Sequence, residues 1–454
     1  MSTRTSPVLT SVIATMVLVA SFFAPTVGAL DASLAVFAEA EHDNNAKRER
    51  DNERSDVATS IGLDLGATHD GQRLLLDGAY TGEYTEYKNG VQENETLVIG
   101  ATRALMKIVP GIFEWSLAHQ RENSVSNLAI EDSADNRETS DILSTGPNFI
   151  ARLSKVDYLS LTLAHTEFNF SGAENPAVPD SDADGDRQSG SLNWSHRLSP
   201  LSSINVGYSQ SQTGYDANQP DLDAQQYHVS YNSTLANGRY QILAGGNSSK
   251  RDGGRRVSGP MFQVSWLRNI DAQTIDIAAS HQLTDSSLSL GIDVPEFDFS
   301  GGGSNFANAD QADVDQLDSF DVVDTIEHTT ARIGYRRPVC DRCQLGLDYG
   351  YDNKEFDQRG DRDTETHRVG ARFTLRMSRV LTTSLATGYR TVDFSNAADQ
   401  RKDEGYRARW DLRWNATEQL QLIAATTWTE RKSNIDSNEY EALAGSLVAR
   451  YVVF

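Results

Sequence analysis

The chain has 454 residues, a net charge of -23 and only 38% hydrophobic residues, with a mean hydropathy of -0.48. The acidic excess excludes a nucleic-acid-binding protein, whose phosphate contacts need basic faces. The thin, alternating spread of apolar residues excludes an ordinary soluble globule, and 16 Tyr, 16 Phe and 6 Trp argue against disorder.

Residues 1–29 read as an export signal. Arg4 lies in a short polar start, an apolar run extends from Val8 to Phe23, and the small residues Val27 and Ala29 fit a cleavage site before Leu30. The competing reading, a single transmembrane anchor, is weakened by Pro25 and Gly28 at its end. Beyond this run no stretch is apolar for long enough to cross a membrane as a helix. A mature chain spanning a membrane must then be a closed barrel, because lipid cannot satisfy unpaired backbone groups.

From residue 30 to 454 the dominant signal is alternation with period two, the signature of strands. Ile204, Val206 and Tyr208 alternate with Ser203, Asn205, Gly207 and Ser209. Leu345, Leu347, Tyr349 and Tyr351 alternate with Gln344, Gly346, Asp348 and Gly350. Tyr406, Ala408, Trp410, Leu412 and Trp414 alternate with Arg407, Arg409, Asp411 and Arg413. The segments run to about 11–15 residues, beyond the ~5–6 of soluble strands and suited to tilted membrane strands. Tight connections, such as His69–Gly71, Ala236–Gly238 and Thr417–Glu418, alternate with long polar ones, such as Asp43–Ser55, Val125–Glu138, Ser171–Gly185 and Ser286–Val322. This is the rhythm of short periplasmic turns and longer external loops. The sequence therefore predicts one all-β domain over 30–454: a transmembrane antiparallel up-and-down β-barrel of about 20 strands, 18–20 by the same count, in a bacterial outer membrane. Tyr208, Tyr351, Trp410, Trp414 and Trp428 are expected to anchor it at the lipid interfaces.

The segment Ala35-Val36-Phe37-Ala38-Glu39-Ala40-Glu41-His42-Asp43-Asn44-Asn45 resembles the opening strand of a proteobacterial group of β-barrel porins associated with exopolysaccharide biosynthesis loci and exosortase (PEP-CTERM) systems. The resemblance implies an outer-membrane location and a link to exopolysaccharide export. The terminal Phe454 resembles the assembly signal read by the barrel-assembly machinery, although the second aromatic, Tyr451, is fourth rather than third from the end.

Three features could carry chemistry. The first is a set of arginines on the polar parity of consecutive C-terminal strands: Arg332, Arg336, Arg368, Arg372, Arg376, Arg390, Arg407, Arg409 and Arg413. Always charged and able to fork onto carboxylates, they suit an anion-attracting pathway. They equally suit a salt-bridge network with Asp348, Asp352 and Asp411 that fills the lumen. The second is Asp180, Asp182, Asp184 and Asp186, the alternating oxygens of a calcium-loop start with Gly185 at the turn. Position twelve of that pattern is Ser191 rather than Glu, so a solvated acidic loop is the simpler reading. No other cofactor is expected. The third is Cys340 and Cys343, expected to staple a turn as a disulfide in an oxidising compartment.

The nine histidines are dispersed with no nucleophile motif, so the chain is expected not to be an enzyme; an outer-face pairing such as Ser195 with a neighbouring-strand His is the exception to test. The leading expectation is a channel for anionic solutes or exopolysaccharide. Its rival is an occluded barrel that docks an export complex.

Overall fold

The computed structural model describes residues 30–125, 137–172, 184–216, 220–285, 324–358, 360–394 and 400–454. The proposed signal peptide, 1–29, lies outside them, as do Asp180 and Asp182. The described chain folds into twenty strands: β1 (Asp31–Asp43), β2 (Asp56–Asp70), β3 (Leu74–Tyr87), β4 (Glu95–Val109), β5 (Phe113–Val125), β6 (Arg137–Arg152), β7 (Asp157–Gly172), β8 (Gly185–Ser199), β9 (Ser202–Tyr215) and β10 (Leu222–Leu235) come first. There follow β11 (Gly238–Arg251), β12 (Arg256–Ile270), β13 (Gln273–Asp285), β14 (Thr325–Cys340), β15 (Cys343–Phe356), β16 (Thr364–Arg376), β17 (Leu381–Phe394), β18 (Arg401–Asn415), β19 (Leu420–Ser433) and β20 (Tyr440–Val452).

Each strand pairs antiparallel with its neighbours in sequence, and β1 closes on β20 from Ala35–Val452 to Asp43–Ala444. The barrel has no free edge, the condition lipid imposes on a sheet. No described helix is long and apolar enough to cross a membrane; the crossing is made by strands.

Pairing puts opposite residues on the same face, so the two faces can be read around the wall. One face carries Val36, Leu63, Trp115, Leu161, Val206, Val229, Ile242, Val264, Ile333, Leu347, Val369, Leu385, Trp410 and Leu447, all exposed. Apolar side chains exposed over a whole barrel face water at a large cost and lipid at none. The other face carries most of the charged, hydroxyl and amide residues.

Gly100 in β4 shows how closely the wall is packed. Its φ is +154°, and a Cβ there would meet the carbonyl of Ala79 at 2.3 Å and the Tyr80 ring at 2.6 Å. Only glycine gives this backbone its room.

Leu447 lies mid-strand in β20 on the apolar face. Leu447→Arg is expected to lower the folding free energy in bilayers by about 2–4 kcal/mol, measured by tryptophan fluorescence during denaturant titration in lipid vesicles. A loss below 1 kcal/mol would mean that this face does not meet lipid.

Candidate functional site

The register assembles the predicted arginines into a contiguous patch. Arg332 on β14 stands opposite Gly350 on β15, which stands opposite Arg368 on β16. Arg368 stands opposite Arg390 on β17, and Arg390 opposite Gly405 on β18. In the row below, Arg336, Gly346, Arg372, Ala386 and Arg409 are successive partners. Arg407 faces Gly388, while Arg376 and Arg413 flank Thr382. Except where Arg368 stands opposite Arg390, interspersed glycine or alanine leaves the long side chains lateral space. Cβ atoms added at Gly346, Gly350, Gly388 and Gly405 would find only ordinary van der Waals contacts.

Carboxylates are interspersed among these arginines. Arg409 Nε donates to Asp411 Oδ1 at 2.8 Å, and Ser384 Oγ donates to Asp411 Oδ2 at 3.1 Å. Arg332 Nε lies 3.6 Å from Asp276 Oδ2 on β13. Asp352, expected as an arginine partner, bonds the His328 ring at 2.7 Å and also lies within reach of the charge of Arg390. The arginines outnumber the carboxylates on this patch, so its net charge is positive.

The remaining predicted residues are dispersed around the barrel. Trp414 is next to the last residue of β18 and exposed, whereas Tyr208 is mid-strand in β9. Trp410 Nε1 donates to Thr383 Oγ1, and Trp428 Nε1 donates to Glu441 Oε1. Tyr351 sits against the His367 ring, with centroids 5.2 Å apart. Cys340 and Cys343 are joined across the β14–β15 turn. The Phe454 side chain is 65% exposed, and its carbonyl accepts the Leu34 N–H at 3.0 Å. Of the calcium-loop candidate, Asp184 accepts the Phe170 N–H and Asp186 lies 3.9 Å from His165. Among the described residues no His, Cys, Asp and Glu group has the arrangement of a metal site.

Three features were not legible in the sequence. Ile142, Phe168, Tyr215 and Leu222 are buried together near the outer ends of β6, β7, β9 and β10, on the polar parity of those strands. Ile326 and Phe356 form a second buried pair. Alternation assigns these residues to a face, but burial depends on what the barrel brings across from other strands. The second feature is a polar chain across β3, β5 and β6: Tyr80 Oη bonds His119 Nδ1, His119 Nε2 bonds Asp141 Oδ1 at 2.9 Å, and Arg121 Nη1 donates to Asp141 Oδ2 at 2.7 Å. These four residues share the parity of Trp115 and Leu143.

The third is the start of β2. Asp56 is buried, and its carboxylate accepts the N–H groups of Val57, Asn89 and Val91 at 2.7–2.9 Å. Burial opposes its charge, but the N–H groups of Asn89, Val91, Val57 and Gln92 outweigh burial and hold the carboxyl below its ordinary value of 3.8. Asp56 thereby folds the 88–94 connection onto the rim.

No family model matches the sequence, and neither does any curated protein. Solved structures resemble the fold. The siderophore receptor PirA from Pseudomonas aeruginosa is 10% identical, with 93% of this chain and 80% of that one covered and a TM-score of 0.46. The FrpB iron transporter from Neisseria meningitidis is 8% identical over 95% and 83%, with a TM-score of 0.44. OccK2 (OpdF) from Pseudomonas aeruginosa, in complex with glucuronate, is 10% identical over 93% and 99%, with a TM-score of 0.41. At this level of similarity no activity is transferred. The closed wall and its exposed apolar face stand on their own: the protein is a bacterial outer-membrane β-barrel of twenty strands.

Because the folded carboxyl of Asp56 titrates below the ordinary value, its contribution is complete above that value and fades as pH falls through the lower, folded one. Protection of the Asn89 and Val91 amides from hydrogen exchange should therefore hold at neutral pH and disappear under strong acidification. Asp56→Asn should remove much of that protection at pH 7; unchanged protection would show that the loop is held by other contacts.

Proposed function

We propose that the protein is a porin-like channel for anionic solutes, with its pathway along the arginine face of β14–β18. The observation that carries this reading is the grouping of Arg332, Arg336, Arg368, Arg372, Arg390, Arg407 and Arg409 on one face of β14, β16, β17 and β18, with the glycines of β15 among them. The opposite parity of these strands is apolar and belongs in lipid, so the arginines line the lumen. Guanidinium groups at successive strands attract carboxylates and phosphates through repeated weak contacts, and such contacts let a solute enter and leave. A barrel larger than the 16–18-stranded porins has room for an aqueous path.

The likeness of the Ala35–Asn45 segment to exopolysaccharide-associated porins supports acidic polysaccharide as the cargo. On this reading the protein is a transport barrel rather than an enzyme, and Phe454 presents the chain to the assembly machinery. A second reading, an occluded barrel that docks an export complex, is favoured by one observation: Ile142, Phe168, Tyr215 and Leu222 are buried on the polar parity, where an open channel exposes its lining to water.

Single-channel conductance of the refolded barrel in a planar bilayer, under a salt gradient, tests both. An anion-selective pore is expected, with selectivity reduced several-fold by the double variant Arg407→Gln, Arg409→Gln. A folded barrel without conductance would overturn the channel reading in favour of the docking one.

A further inference from the structure

Nineteen of the twenty strand contacts around the wall join strands consecutive in the chain; β1 with β20 joins its two ends. Consecutive strands are held near each other by the connection between them. The seam has no such tether and must recover the full entropy of closing the chain from its own contacts. Its ladder is shorter than that of β1 with β2. Register with β20 runs from Ala35 to Asp43, whereas β1 pairs with β2 all the way from Asp31 to Asp43.

Beyond Asp43, side chains carry the seam onward. The Asn44 N–H donates to the Leu443 carbonyl at 3.2 Å, and the Leu443 N–H donates to Asn44 Oδ1 at 2.7 Å. Asn44 thus completes a reciprocal pair with β20 by using its side-chain oxygen. Asn45 is fully buried. Its Nδ2 donates to the Glu441 carbonyl on β20 at 2.9 Å and to the Glu49 carbonyl at 2.8 Å, while its Oδ1 accepts the Glu49 N–H at 3.1 Å. One amide therefore ties the first external loop to itself and to the last strand. Asp43 orders the turn from below: its Oδ1 accepts the Asn45 N–H at 2.8 Å, and its Oδ2 accepts Arg48 Nη1 at 2.6 Å. Arg48 lies over the Tyr440 ring of β20, and Arg50 Nη1 reaches Glu439 at 2.9 Å.

We propose that Asp43-Asn44-Asn45 is a clasp that holds the β1–β20 seam shut at the outer rim, and that Asn is required at 45 because the position needs a donor and an acceptor at once. Aspartate has the same shape but would aim a carboxylate oxygen at the carbonyls of Glu441 and Glu49. At the other end of the seam the backbone contacts, Leu34 N–H to the Phe454 carbonyl and Val453 N–H to the Leu34 carbonyl, are joined by one side-chain bridge, Arg450 Nε on β20 to Asp64 Oδ2 on β2 at 2.8 Å, which spans β1.

The test uses the refolded barrel and the temperature at which its compact gel mobility is lost. Asn45→Asp, and the double variant Asn44→Ala, Asn45→Ala, should lower this temperature by at least about 5 °C. A disulfide across the seam, from Ala38→Cys and Ala449→Cys, which face each other, should restore it. A disulfide elsewhere in the wall, from Ala279→Cys and Ala331→Cys, should not. Unchanged melting of the variants, or equal rescue by both disulfides, overturns the proposal. Hydrogen exchange on the unaltered protein decides the case even if the variants do not fold: the Leu443 amide should be protected like mid-strand amides, and rapid exchange there would show that the seam is open at the rim.

Discussion

Everything in this structure follows from the requirement that a backbone in lipid pair all of its N–H and C=O groups within the protein. A sheet meets that requirement only by closing, and closing fixes the rest. It sets the strand lengths and gives the wall two faces of opposite chemistry. It also makes the two ends of the chain neighbours, so that β1 pairs with β20 without a connection between them.

The outer face is energetically plain. Val36, Leu63, Ile333, Val369 and Leu447 are exposed because lipid, not protein, is their solvent, which also explains why so long a chain needs so few hydrophobic residues. The inner face can accept charge because water and neighbouring side chains screen it. Arg409 beside Asp411 and Arg332 beside Asp276 are pairs on one patch that retains a positive balance. Some of its arginines are thus neutralised locally within a surplus of positive charge.

The barrel was legible because its code has period two and each side chain declares its face directly. Tyr406 to Trp414 alternate in the sequence as they do across the wall, and the tight turn at Ala236–Gly238 separates strands in both. The strand count and its closure followed from that rhythm. Partners were less legible. Asp352 takes the His328 ring as a partner beside the charge of Arg390, because a strand residue meets whichever side chain the register sets beside it, and register is fixed by closure of the whole ring. The buried group of Ile142, Phe168, Tyr215 and Leu222 was hidden for the same reason: its members lie on four strands, which only the closed wall brings together. The Asp43–Asn45 turn stood out only as a motif, since its partners on β20 lie at the far end of the chain.

The alternation of Arg332, Gly350, Arg368, Arg390 and Gly405 sets a direction as well as a charge. Residues opposite one another form a row at right angles to the strands, and strands in a closed barrel are tilted by about 35–45° to its axis. Such a row does not circle the wall at constant height but climbs it like the thread of a screw, with about 4.8 Å between neighbouring strands. A flexible anionic polymer following these arginines would turn as it advanced, whereas a small ion could cut straight along the axis.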